Sequence, residues 1–165
     1  MLYIIMGTLN EDIKSASRWI AGALNYSGYN ADFSLNSLNE VDRFFTEQAE
    51  NGKPKQGGLL AEDFGSRMFA LGSYVGTVLI KESSGTWKTD DNDPEGELNI
   101  SIVSSSGLEA WPVQKVMKRF RYGVQDSIFH YGCAFLDHSG ISIEKSSMKS
   151  EIESINKKPG WKHSK

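Results

Sequence analysis

Asp91-Asn92-Asp93-Pro94-Glu95-Gly96 sets carboxylates at alternate positions and glycine sixth, the opening half of a calcium loop. Such a loop closes on a bidentate glutamate at its twelfth position, where Ile102 stands, and needs helical flanks. The flanks here read as strands, so the segment is expected to be an acidic hairpin turn. His130 and Cys133 stand three apart on an expected helix, close enough to share a metal. Structural zinc takes four ligands, and no Cys-x-x-Cys or second histidine pair accompanies them. Cys133 falls among Phe129, Phe135 and Leu136, the setting of a packed thiol rather than of an electropositive, partly exposed nucleophile. Gly72-x-x-x-Gly76 lies inside a helical pattern and lacks the lysine of a phosphate loop. G-x-S-x-G and H-E-x-x-H are absent. The residues thus point to no catalytic group, no metal and no cofactor, and the expected work is binding.

Charge supplies the binding candidates. The net charge is −3, yet residues 1–110 hold 16 acidic and 8 basic side chains while residues 111–165 hold 5 and 10. Such asymmetry suits a charged partner. The acidic candidates are Glu40, Asp42, Glu47 and Glu50 on one expected helix, and Asp90, Asp91, Asp93 and Glu95 in the turn. Lys115, Lys118, Arg119 and Arg121 alternate with Val116, Met117, Phe120 and Tyr122, a pattern that can grip phosphates and stack bases. An acidic chain repels nucleic acid, and Val116 and Phe120 read as core. That run is therefore expected to be a solvated face pairing with the protein's own acids, with nucleic-acid binding through it as the alternative function.

These candidates need elements to hold them. Gly58 to Lys81 is the central one: Leu60, Phe64, Met68, Leu71, Val75 and Leu79 recur at helical spacing. Gly65, Gly72 and Gly76 form a second line, where another backbone is expected to come close enough to offset about 1 kcal/mol of helix propensity lost per glycine. Thr8-Leu9-Asn10-Glu11 is a capping box opening a helix with Ile13, Ala16, Trp19, Ile20, Ala23 and Leu24 inward, ended by Gly28. Ser37-Leu38-Asn39-Glu40 reads as a second box, opening a helix buried through Leu38, Val41, Phe44 and Phe45. Asn51 to Gly58 reads as a flexible loop. Thr86 to Thr89, Leu98 to Ile102 and Leu108 to Trp111 read as strands of an antiparallel meander joined by tight turns. Pro112 opens a further helix stopped by Gly123, and Asp126 is expected to cap the last core helix.

At 165 residues the chain suits one domain, burying roughly 70% of its unfolded surface. The expectation is α+β, helices packed on a small three-stranded antiparallel sheet. Residues 1–138 form the domain, and 139–165 a weakly structured tail with a possible amphipathic helix over Ile143 to Ile155. Leu2 to Met6, the longest apolar run near the start, is too short to span a bilayer or serve as a signal peptide. One cysteine and no export signal suit the cytoplasm.

Gly72-Ser-Tyr74-Val-Gly76, Gly85-Thr-Trp87, Trp111-Pro112-Val-Gln-Lys115-Val116, Lys118-Arg119 and Gly123 with Asp126-Ser127 together resemble a small bacterial domain family of unknown function. The resemblance spans about residues 58–131. Some members are immunity partners of polymorphic or contact-dependent toxins. It implies a protein-binding module that neutralises a cognate basic toxin, a nuclease for example, and it implies no catalytic residue.

Overall fold

The computed structural model describes residues 7–141. The apolar run before Gly7 and the amphipathic pattern after Ile141 lie outside the described residues. Helix α1 (Leu9–Tyr26) opens on the expected capping box: Thr8 Oγ1 accepts the Glu11 N–H at 3.3 Å and the Glu11 carboxylate accepts the Thr8 N–H at 3.4 Å. Gly28 follows its end at φ +91°, a conformation that glycine adopts without strain. Ile13, Ile20 and Leu24 are buried as expected, but Trp19 is 51% exposed and lies under the Arg67 guanidinium instead of joining the stripe.

Helix α2 (Ser37–Gln48) buries Leu38, Val41, Phe44 and Phe45, but the second capping box does not form. Its would-be cap is claimed from across the core. Phe33 N–H donates to the Tyr74 hydroxyl at 3.0 Å; that hydroxyl donates to Ser37 Oγ at 2.6 Å, which donates to the Ser34 carbonyl at 2.6 Å. Asn51 to Gly58 is likewise not all loop. β1 (Ala49–Glu50) and β2 (Lys53–Pro54) pair antiparallel across Asn51-Gly52, both at positive φ, the geometry of a tight two-residue hairpin turn.

Helix α3 (Phe64–Ser83) is the centre of the molecule. It packs against α1, α5 (Pro112–Tyr122) and α6 (Ile128–His138). Every residue from Met68 to Gly76 is buried, as a helix surrounded on all sides requires. The glycine line resolves into three different situations. A Cβ on Gly72 would meet the backbone and side chain of Val113 at 2.5–2.9 Å, so α5 does approach closely there. Gly76 instead seats the ring of Trp87, and Gly65 faces open space. Leu60 is buried but precedes the helix.

A three-stranded antiparallel sheet in the order β3-β4-β5 lies on α3, giving the expected α+β arrangement. β3 (Thr86–Lys88) pairs with β4 (Ser101–Val103) through Trp87↔Ile102, and β4 with β5 (Glu109–Ala110) through Ile102↔Ala110. Two expectations change here. Leu98 to Ile102 is not one strand: Gly96–Asn99 is a helical turn, α4, and only Ser101–Val103 is extended. The connection from β3 is therefore a long excursion through the acidic segment rather than a hairpin turn. Ile100 and Ile102 are buried, whereas Leu98 is 40% exposed.

Pro112 and Gly123 bound α5 as expected, but Asp126 does not cap α6. Ser127 does, accepting the His130 N–H at 3.2 Å, while Asp126 lies in a 3-10 turn and pairs with Lys115.

Candidate protein-binding surface

The acidic segment is a braced loop. Asp90 Oδ1 accepts the Asn92 N–H at 2.9 Å, and Asp93 accepts the Glu95 N–H and the Asn99 side-chain amide, both at 2.9 Å. The Asn99 bond, with the backbone bond behind it, holds the Asp93 carboxyl below its ordinary range. Asp91 Oδ1 accepts the Leu9 N–H at 2.7 Å, adding a carboxylate to the positive end of α1. On the far side Gln114 of α5 reaches Asn99 Oδ1 at 3.3 Å. Gly96 is buried in a space with no room for a side chain, since a Cβ would press on the Asp90 carbonyl and on Leu9, both at 2.9 Å.

Beside this loop lies a groove of about 360 Å³ between the first turns of α3 and the body of α5. Its apolar wall is Phe64, Met68, Phe69, Val113 and Met117, closed by Pro94 and Leu98. Glu95 and Glu97 stand on its rim. Neither carboxylate makes an ion pair with a described residue. An apolar centre with a charged, hydrated rim is the anatomy of a protein interface.

The acidic candidates on α2 do not join it. Glu40 accepts the Arg43 guanidinium at 2.7 Å and the Asn30 N–H at 3.0 Å, and the Arg43 bond holds its carboxyl low. Glu47 binds the Tyr29 hydroxyl at 2.5 Å and Arg43 at 3.3 Å, the tyrosine contributing most to its lowered pKa. Arg43 also lies 4.3 Å over the Tyr29 ring and donates to the Gly28 carbonyl. Glu50 sits exposed in β1, whereas Glu40 and Glu47 share the single positive charge of Arg43. They gather at the C-terminal end of α1, while the braced loop sits at its N-terminal end. An 18-residue helix separates such ends by about 27 Å.

Asp42 turns inward, and this corrects its reading as a surface acid. Its carboxylate accepts Arg119 Nε at 3.0 Å, the Ile128 N–H at 2.8 Å, and the Ser127 hydroxyl and Phe129 N–H at 2.9 Å. It ties α2 to α5 and caps α6 from outside that helix. Arg119, expected on a solvated face, is 3% exposed and donates further to the Asp42 carbonyl and to Thr46. Lys115 is paired with Asp126 at 3.1 Å and lies 5.3 Å from the Tyr131 ring centre. Of the basic run, only Lys118 and Arg121 are exposed.

His130 is exposed and Cys133 half-buried on α6, less enclosed than expected. Among the described residues no group of three or more His, Cys, Asp or Glu is placed to hold a metal. No described helix is long and apolar enough to cross a membrane. Compared with known protein families, curated proteins and solved structures, the chain matches none. Sequence reasoning missed the groove because its walls come from three distant segments, with Leu98 disguised as a strand residue.

Proposed function

We propose that the chain is a protein-binding module for a partner with a basic surface and, in its sharpest form, a bacterial immunity protein that neutralises a cognate toxin. The observation that carries this reading is the apolar groove of α3 and α5 with unpaired Glu95 and Glu97 on its rim, next to a loop braced at both ends. A partner would insert an apolar side chain against Phe64, Met68 and Met117 and set basic groups against the rim. A braced loop loses little conformational freedom on binding, which favours affinity. Opposite charge speeds the encounter and selects the partner. The internal pairing of Arg119 and Lys115 leaves the nucleic-acid alternative only Lys118 and Arg121 from its run.

The test is co-expression with the product of the adjacent reading frame, scored by rescue of growth and by binding of the purified pair. Leu98→Glu and the pair Glu95→Lys with Glu97→Lys are each expected to weaken binding by about tenfold or more. Association should also slow as salt rises. Micromolar oligonucleotide binding, lost in Lys118→Ala with Arg121→Ala and untouched by the groove variants, would overturn the reading.

A further inference from the structure

A second, larger cleft, of about 790 Å³, lies between α1, the C-terminal half of α3 and β3. That is the size range of small-molecule sites. Ile13, Phe33, Ile80 and Trp87 line it with apolar surface. Around them stand Lys14 and Arg18, one turn apart on α1, and Lys81 in the last turn of α3. No carboxylate lines the cleft. None of the three cations makes an ion pair with a described residue. Asp32 feels Lys81, but its carboxyl is held low chiefly by its bonds to Ser34, at 2.5 Å from the hydroxyl and 3.0 Å from the N–H.

In a chain of net charge −3, three cations without an ion pair around one apolar pocket make its rim positive, and an anion placed among them is attracted there. The chemistry fits a molecule with an anionic head and a hydrocarbon body. We propose that this cleft is a binding site for a small organic anion, a carboxylate or sulfonate carried on an aromatic or alkyl body, held by Lys14, Arg18 and Lys81 over Phe33, Ile80 and Trp87. The site is separate from the acid-rimmed groove, which adjoins the other end of α3, and does not depend on the role proposed for it.

Titration of the full chain with anilinonaphthalene sulfonate tests this. One saturable site is expected, displaced by octanoate but neither by octanol nor by inorganic phosphate at the same concentration. Lys14→Ala, Arg18→Ala and Lys81→Ala combined should weaken the dye by about tenfold, with circular dichroism unchanged. Phenylnaphthylamine, which has the hydrocarbon body without the sulfonate, should respond little to that triple change. The single reversal Lys81→Glu gives the same reading should the triple variant misfold. Leu98→Glu, which alters the other groove, should leave dye binding intact. Absence of saturable binding, equal loss of the charged and neutral dyes, displacement by phosphate alone, or binding indifferent to all cation changes would each overturn the proposal.

Discussion

Asp42 shows how much one side chain decides. Its two oxygens receive four donors from two parts of the chain, and Arg119, its charge partner, is 3% exposed. Nothing local announces this. In sequence Asp42 sits among other acids and Arg119 among other bases, and both look like surface residues. The signal lies in the helix spacing: Asp42 stands four after Leu38 and three before Phe45, and Arg119 three after Val116, so each falls on the buried face of its helix. A buried charge that loses its partner costs about 3–5 kcal/mol, whereas removing both partners leaves no orphaned charge. Asp42→Ala is therefore expected to lower unfolding free energy by about 3 kcal/mol or more. Asp42→Ala with Arg119→Met should lose less than the two single changes added together. Urea unfolding of all four proteins in the cycle measures the coupling. Strict additivity would mean that the pair contributes no mutual stabilisation.

At the scale of elements, what the sequence told correctly was set by local backbone chemistry. The Thr8–Glu11 box, Pro112 at a helix start and glycines at Gly28 and Gly123 act within a few residues, so their pattern survives into the fold. The Ser37 box failed because a distant hydroxyl, that of Tyr74, claimed the capping side chain. Asn51-Gly52 carries its own local signal: that pair suits a hairpin with both turn residues at positive φ, even with flanks as polar as Glu50 and Lys53. The alternation Leu98-Ile100-Ile102 misled because a helical turn followed by a strand can bury the last two while exposing the first. The glycine line of α3 separates pattern from packing. Gly72→Ala places a methyl on the Val113 backbone, which cannot rotate away, and should destabilise by more than about 2 kcal/mol. Gly65→Ala meets nothing and should be neutral or gain a few tenths of a kcal/mol, up to about 1 kcal/mol. Denaturant midpoints of the two variants separate the outcomes. Equal shifts would show that α5 does not press on α3 at Gly72.

Across the whole molecule, the basic stretch supplies, among the described residues, Lys115, Lys118, Arg119 and Arg121, and two of these, Lys115 and Arg119, are paired with Asp126 and Asp42. Charge is arranged along α3, with an acid-rimmed groove by its first turns and a cation-ringed cleft by its last. The titrating groups add a prediction about stability at both ends of the pH scale. Glu40, Glu47, Asp93 and Glu109 all have carboxyls held low, by Arg43, Tyr29, Asn99 and Ser101 respectively in the first place. A lowered carboxyl favours the folded state above the unfolded pKa, so their joint contribution is present at neutral pH. It is lost as pH falls below about 4. These groups are half-buried or exposed and reached by solvent, so the acid limb should be shallow and further weakened by salt. The alkaline limb has the opposite origin. Burial raises the phenols of Tyr74 and Tyr131, the latter to about 12, against the pull of a backbone hydrogen bond at Trp111. The folded protein therefore prefers the neutral phenol, a contribution complete below about pH 10 and lost as pH rises through about 12. For Tyr131 the full effect is about 3 kcal/mol. Tyr131→Phe keeps the ring beneath Lys115 and removes the proton. Its unfolding free energy should fall less steeply than the parent's between pH 9 and 12, by up to that amount, in guanidinium titrations read by circular dichroism. Parallel curves for the two proteins over that interval would show that Tyr131 is not withheld from water in the folded chain.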